Sequence, residues 1–278
     1  MTRKRIAIVA FIAVLIGIGW WCMSDGKSQL QRHVEAIGGR YRVIPTMLLA
    51  PSKYDVISFF VRRKMLMTKP DHVSLDFSNS SLDDEWIEAH SELLNDSRIR
   101  DICLSNTALT DRGFAKIAEI ESVEFLDIRN TNVTDESIPF VNSLPQLSII
   151  QTARTNITEV GLVKLLDKPS LNHVKFNASL LSDKVIDEFN ARPKFVALSF
   201  DEINSTQLLL LKDLANVDAL HLEGLTEAEV PALCQLTSLK YLTIKHSALS
   251  RESIELLKSK LENTEVFANH LDDIAPIE

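Results

Sequence analysis

An apolar residue opens a new stretch of chain every 24 residues, at Ile99, Val123, Leu147, Leu171 and Phe195, and then at a spacing of 22, at Val217 and Leu239. Within each unit a second and third apolar residue return at the fourth and sixth places: Ile102/Leu104, Leu126/Ile128, Val174/Phe176, Leu198/Phe200, Leu220/Leu222 and Leu242/Ile244. Ile150 is followed by Thr152, the one departure. Alternation over so short a run predicts a strand with one apolar face. A hydroxyl then precedes an acid, as Thr110-Asp111, Thr134-Asp135, Thr158-Glu159 and Ser182-Asp183. The hydroxyl suits an N-cap, and the acid suits the positive end of a helix dipole. Thr226 and Glu229 have the spacing of a capping box. Apolar residues three apart follow, such as Phe114/Ile117/Ile120, Ile138/Val141/Leu144, Leu208/Leu211/Leu214 and Val230/Leu233/Leu236, one helical stripe per unit. No such unit can bury its apolar faces alone, whereas stacked units can. The expected product is an α/β solenoid, a horseshoe with a parallel inner sheet and outer helices.

A period in the twenties carrying L-x-x-L-x-L is the sequence form of a leucine-rich repeat. About eight units are expected over residues 72–263, beginning with an irregular one from His72 that keeps Leu75, Phe77, Leu82 and Asp83-Asp84. The ends of a solenoid need lids. Residues 40–71, with Val43, Ile44, Leu48, Leu49, Ile57, Phe59, Phe60 and Val61, are expected to supply the front one. At the back, a Ser250–Leu261 helix and a strand remnant at Val266 and Phe267 lead into a cap and tail over 264–278.

The N-terminus reads differently. Residues 1–5 carry Arg3, Lys4 and Arg5, and residues 6–23 carry no charge and end near Trp20-Trp21. Eighteen residues of helix span about 27 Å, close to the roughly 30 Å hydrocarbon core. The tryptophans fall where interfacial aromatics belong. A cleaved signal peptide is the rival, but the apolar run exceeds its usual length and no small-x-small site follows. The expectation is a single-pass signal anchor in the cytoplasmic (inner) membrane, N-terminus inside and repeats extracytoplasmic. Residues 24–39 are expected to form a juxtamembrane helix, with Leu30, Val34 and Ile37 on one face and Gly38-Gly39 at its end.

Charge is divided along the chain. Residues 24–71 hold 9 basic and 4 acidic side chains; residues 72–278 hold 18 and 34. The acidic repeats exclude a phosphate-binding surface and hence nucleic acid. The basic segment, with Arg62-Arg63-Lys64, suits anionic head groups. Three cysteines, with Cys103 and Cys234 five units apart, leave no expected disulfide.

The motifs Ala36-Ile37-Gly38-Gly39, Phe59-Phe60-Val61-Arg62-Arg63 and the four T-x-[IV]-T-D-like helix starts carry a resemblance. The chain resembles the membrane-anchored leucine-rich repeat proteins of planctomycete-type bacteria, over nearly its whole length. The resemblance implies the fold and the anchor; it implies no activity. Two features depart from that pattern. Leu181-Ser182-Asp183 lacks the following glycine, and the units from Phe195 and Val217 are two residues short, which makes curvature there irregular.

The concave sheet is the usual binding surface of such a solenoid, and its side chains stand at the third, fifth and seventh places. Phe125, Ile149 and His173 should form an exposed stripe on adjacent strands, rimmed by Asp127, Arg129, Gln151 and Lys175, with Tyr241 further along the same row. These are the candidate partner-binding residues. Ser199 and His221 should be neighbours, with Asp201 and Glu223 beside them. That face is open and has no nucleophile elbow or oxyanion site, so no catalytic residue is assigned. His173 and His221, about 10 Å apart, are too distant to share a zinc ion. No metal and no cofactor are expected. The composite reading is a non-enzymatic interaction module with a protein partner. The alternatives are a self-associating envelope scaffold and a cytoplasm-facing adaptor.

Overall fold

The computed structural model describes residues 28–44, 72–192 and 195–268. The expected membrane span at 6–23, the remainder of the front lid at 45–71 and the tail from 269 lie outside these residues. Among the described residues no helix is long and apolar enough to cross a membrane.

Among the described residues ten strands form one sheet in simple chain order. The first helix, α1 (Gln29–Ala36), precedes β1 (Arg40–Ile44). Then come β2 (His72–Asp76), β3 (Ile99–Cys103), β4 (Phe125–Asp127), β5 (Ile149–Gln151), β6 (His173–Lys175), β7 (Phe195–Phe200), β8 (Val217–Glu223), β9 (Tyr241–Lys245) and β10 (Glu265–Ala268). From β2 onward each strand pairs parallel with the next; β1 lies antiparallel on β2. Between strands run the helices α2 (Asp84–His90), α3 (Asp111–Ile117), α4 (Ile138–Ser143), α5 (Glu159–Leu166), α6 (Asp183–Ala191), α7 (Ser205–Leu210), α8 (Val230–Leu233) and α9 (Arg251–Lys260). This order, a parallel strand and a returning helix per unit, is a leucine-rich repeat fold, defined by the strand ladder itself.

One apolar cluster runs the length of the stack, from Leu30 in α1 to Leu261 after α9. The unit-opening residues Ile99, Val123, Leu147, Leu171, Val217 and Leu239 and the fourth- and sixth-place residues are buried in it. Each such side chain contributes roughly 1.5–3 kcal/mol. Thr152, the break in the pattern, is buried without loss, because its hydroxyl donates to the Lys175 carbonyl at 3.2 Å. Several helices are shorter than the apolar stripes suggested. Pro139 and Pro231 stand in the first turns of α4 and α8, and short 3-10 turns, Asp135–Ser137 and Glu227–Glu229, replace the preceding helical residues.

The predicted N-caps are all present: Thr110, Thr134, Thr158 and Ser182 each accept an amide hydrogen bond from the first turn. Two of the acids that follow them, Asp111 and Asp135, and Asp84 of the preceding unit also reach across units. Asp84 accepts from the Thr110 amide (2.9 Å) and hydroxyl (2.5 Å), Asp111 from those of Thr134 (2.9 and 2.8 Å), and Asp135 from those of Thr158 (2.8 and 2.6 Å). The T-D pair is thus both a cap and a cross-link. The nearby glycine has the same origin: a Cβ on Gly113 or Gly161 would overlap the Oδ1 of Asp84 or Asp135. Where the unit opened by Val123 has Ser137 instead, its hydroxyl donates to Asp111.

At the front, α1 is the helix expected within residues 24–39, capped by Ser28 and ended by Gly38 at φ +86°. Its lid includes the antiparallel β1, joined to β2 by Arg40–Asp76 at 2.9 Å. At the back, Ser250 caps α9 and the strand remnant is β10, as its apolar residues indicated.

Candidate partner-binding surface

The register sets the predicted residues side by side. One row runs Asp101, Phe125, Ile149, His173, Ala197, Ala219 and Tyr241; the next runs Cys103, Asp127, Gln151, Lys175, Ser199, His221 and Thr243. Adjacency is therefore as the 24-residue spacing requires. Exposure is not. Ile149 was expected in an open stripe but is only 6% accessible, and Asp127 and Lys175 are also buried. Ile149 is flanked on both neighbouring strands by the larger rings of Phe125 and His173, which shield a shorter aliphatic side chain on the same face. Phe125, Gln151, His173 and Tyr241 keep partial exposure. Tyr241 lies over the small floor made by Ala197 and Ala219.

Two of the three charged candidates, Asp127 and Lys175, are buried because they are paired. Arg129 grips Asp127 with two hydrogen bonds, Nε to Oδ1 at 2.9 Å and Nη2 to Oδ2 at 2.8 Å. This bond raises the Arg129 pKa. Arg129 also approaches Asp201 at 4.0 Å. Lys175 pairs with Asp201 and lies 3.8 Å from Glu223. The network spans units from β4 to β8 and holds long side chains in one geometry before any partner arrives. Asp201 and Glu223 stand at the seventh place of units distant in sequence from Arg129. Only the reach of arginine and lysine across the ladder joins them, and the spacing alone does not give that.

His173 shares a 2.7 Å hydrogen bond with the buried Ser199 hydroxyl. Burial, followed by repulsion from His221 and Lys175, pushes its pKa down to about 3. The imidazole is neutral at physiological pH. Ser199 thus pairs with His173 rather than with His221, the neighbour considered from sequence. A buried hydroxyl in this setting fixes the ring; it does not present a nucleophile. Among the described residues no group of three or more His, Cys, Asp or Glu side chains could hold a metal ion. Cys103 and Cys234 are free thiols.

A second concavity lies on the rim where the strands end. In the units opened by Ile99, Val123, Leu147, Leu171 and Leu239 the N-cap stands eleven residues after the opening residue. It stands only nine after Phe195 and Val217, at Asn204 and Thr226. The two missing residues are therefore taken from the strand-to-helix loops, not from the strands or helices. Two consecutive short loops beside a long one leave a cleft of about 500 Å³. Phe176, Ala178 and Ile203 line it with apolar surface, and Asn177, Asp201, Glu202 and Glu229 add polar surface. Arg154 stands at one wall in the left-handed region (φ +59°), paired with Glu202 at 2.7 Å. The sequence signal was the shortened period. It was legible as a deletion, and its place in the loop follows from the shifted caps.

The chain matches no protein-family model and no curated protein sequence. Among solved structures it is similar to a chain in the crystal structure of a TLR13–ssRNA13 complex, at 17% identity and a TM-score of 0.41, over 66% of this chain and 34% of that one. It is also similar to an internalin (InlF) from Listeria monocytogenes, at 14% identity and a TM-score of 0.26, over 65% of this chain and 70% of that one. The chain thus spans about a third of the length of the first of these. At such scores one fold cannot be inferred from the other.

Proposed function

We propose that this protein is a non-enzymatic recognition module that binds a protein partner on its concave sheet, with the rim cleft as an extension of the same surface. The observation that carries the reading is the Arg129–Asp127 and Lys175–Asp201 network, which fixes a polar frame around the partly exposed Phe125, Gln151, His173 and Tyr241. Pre-ordered side chains lower the entropic cost of binding. Partly exposed aromatic residues inside a polar rim are the usual composition of a small interface centre. The acidic balance of residues 72–278 favours a basic partner.

The uncharged run 6–23 after Arg3, Lys4 and Arg5 supports a membrane anchor that holds the repeats outside the cytoplasmic membrane. Protease added to intact spheroplasts should digest the repeat domain; protection would reverse the orientation. For the binding face, the full-length protein is crosslinked in native membranes beside F125S/Y241S and a convex-side control, L256S. The heteromeric adduct should disappear from the double variant and persist in the control. Equal recovery from all three removes the concave face from consideration. A ladder of self-adducts alone would favour the scaffold reading.

A further inference from the structure

The contact between α1 and the first repeat helix brings two histidines together. His33 is exposed on α1, and His90, partly buried, ends α2. Their ring centres are 4.7 Å apart, with planes inclined at 56°. His33 Nδ1 lies 2.8 Å from the Gln29 carbonyl, and His90 Nδ1 lies 2.8 Å from the Trp86 carbonyl. A carbonyl oxygen only accepts, so each Nδ1 carries its proton and donates it. In the neutral ring this leaves the lone pair on Nε2 of both residues. Trp86 stacks on His90 at 4.3 Å and is itself packed edge-on against Phe77 at 5.3 Å, which fixes one of the two rings.

We propose that His33 and His90 form a surface site for one borderline divalent cation that favours imidazole (zinc, nickel or copper), coordinated through the two Nε2 atoms. A histidine that donates its other ring nitrogen to a backbone carbonyl is the ordinary state of a metal ligand, because that bond selects the tautomer and orients the ring. One ion can span the separation of the rings when both Nε2 atoms face it. With metal–nitrogen bonds of about 2.0–2.1 Å and ring centres about 1.1 Å behind each nitrogen, centres 4.7 Å apart subtend roughly 97° at the ion, between the octahedral and tetrahedral angles. Imidazole nitrogen selects these cations over magnesium or calcium. Two protein ligands leave the remaining positions to water, so the site is open. Since the ligands come from two elements, the ion ties the N-terminal helix to the solenoid.

The test uses full-length protein without a histidine tag, stripped with chelator and titrated with zinc or nickel while the thermal midpoint is followed. Copper is used for paramagnetic resonance. One ion per chain, a midpoint rise of a few degrees and a copper spectrum with two nitrogen ligands are expected. His33→Ala, at an exposed position, should weaken binding by about tenfold or more while circular dichroism stays that of the wild type. His90→Ala should do the same. The proposal is overturned if the wild-type protein shows no saturable binding, or if both variants bind as it does.

Discussion

Gly161 and Asp135 make a paired prediction. A methyl group at Gly161 has no space while the Asp135 carboxylate occupies it, so Gly161→Ala should destabilise by about 1–3 kcal/mol in urea unfolding. Asp135→Ala removes the acceptor of the Thr158 amide and hydroxyl and should cost a similar amount. Combined, the two should cost clearly less than their sum, because the second change removes the obstacle to the first. Strict additivity would show that the glycine serves some other purpose. His173 provides a test in pH. Its folded pKa, about 3, lies below the ordinary histidine value, so below about pH 6.5 the unfolded chain binds a proton that the folded one refuses. Its contribution is therefore unfavourable in acid: stability falls from about pH 6.5 down to about pH 3 and is flat above. His173→Gln should remove about one proton's worth of that slope, and an unchanged slope would place the imidazole in water.

The strands and caps were legible because each has a local cause. Apolar residues at the fourth and sixth places define the inward face of β3 to β9, and a hydroxyl before an acid defines each helix start. The burial of Ile149, Asp127 and Lys175 was not legible. It depends on what stands on neighbouring strands, on the Arg129 that folds back onto Asp127, and for Lys175 on ion pairs with residues 26 and 48 positions further along, for which periodicity has no term. The left-handed turns were missed for a related reason. Asn79, Asn106 and Asn130 recur after the strands at φ between +52° and +59°, a short amide column that the leucine pattern overshadowed. Asparagine in that place was the available signal. The rim cleft yields an element-level prediction: two residues inserted between Glu202 and Ile203 restore the eleven-residue spacing and fill the cleft. The variant should keep its circular dichroism and thermal midpoint and lose partner binding. Retained binding would confine recognition to the sheet.

A stack held by nearest-neighbour contacts should tolerate the loss of a whole unit better than the loss of part of one. Deleting residues 123–146 places Leu147 where Val123 stood and brings Asp111 opposite Thr158, the same partner type it has in Thr134. That shortened chain should fold cooperatively, whereas deleting only 123–134 should give aggregates; equal behaviour would mean the units are not interchangeable. The carboxylate bonds that reach the helix cap of the next unit are nonetheless unevenly spread. Among the described residues they run from Asp84 to Thr158, stop where Glu159 precedes Ser182, and resume only when Glu227 accepts from the Ser250 amide at 2.5 Å. The shortened loops lie within that gap. Pulled from its two ends, the stack should not open evenly: the edge at the helix N-termini should part first between α5 and α8, while the sheet side, held there by Lys175–Asp201 and by the five-residue registers of β7 on β8 and β8 on β9, should hold longer.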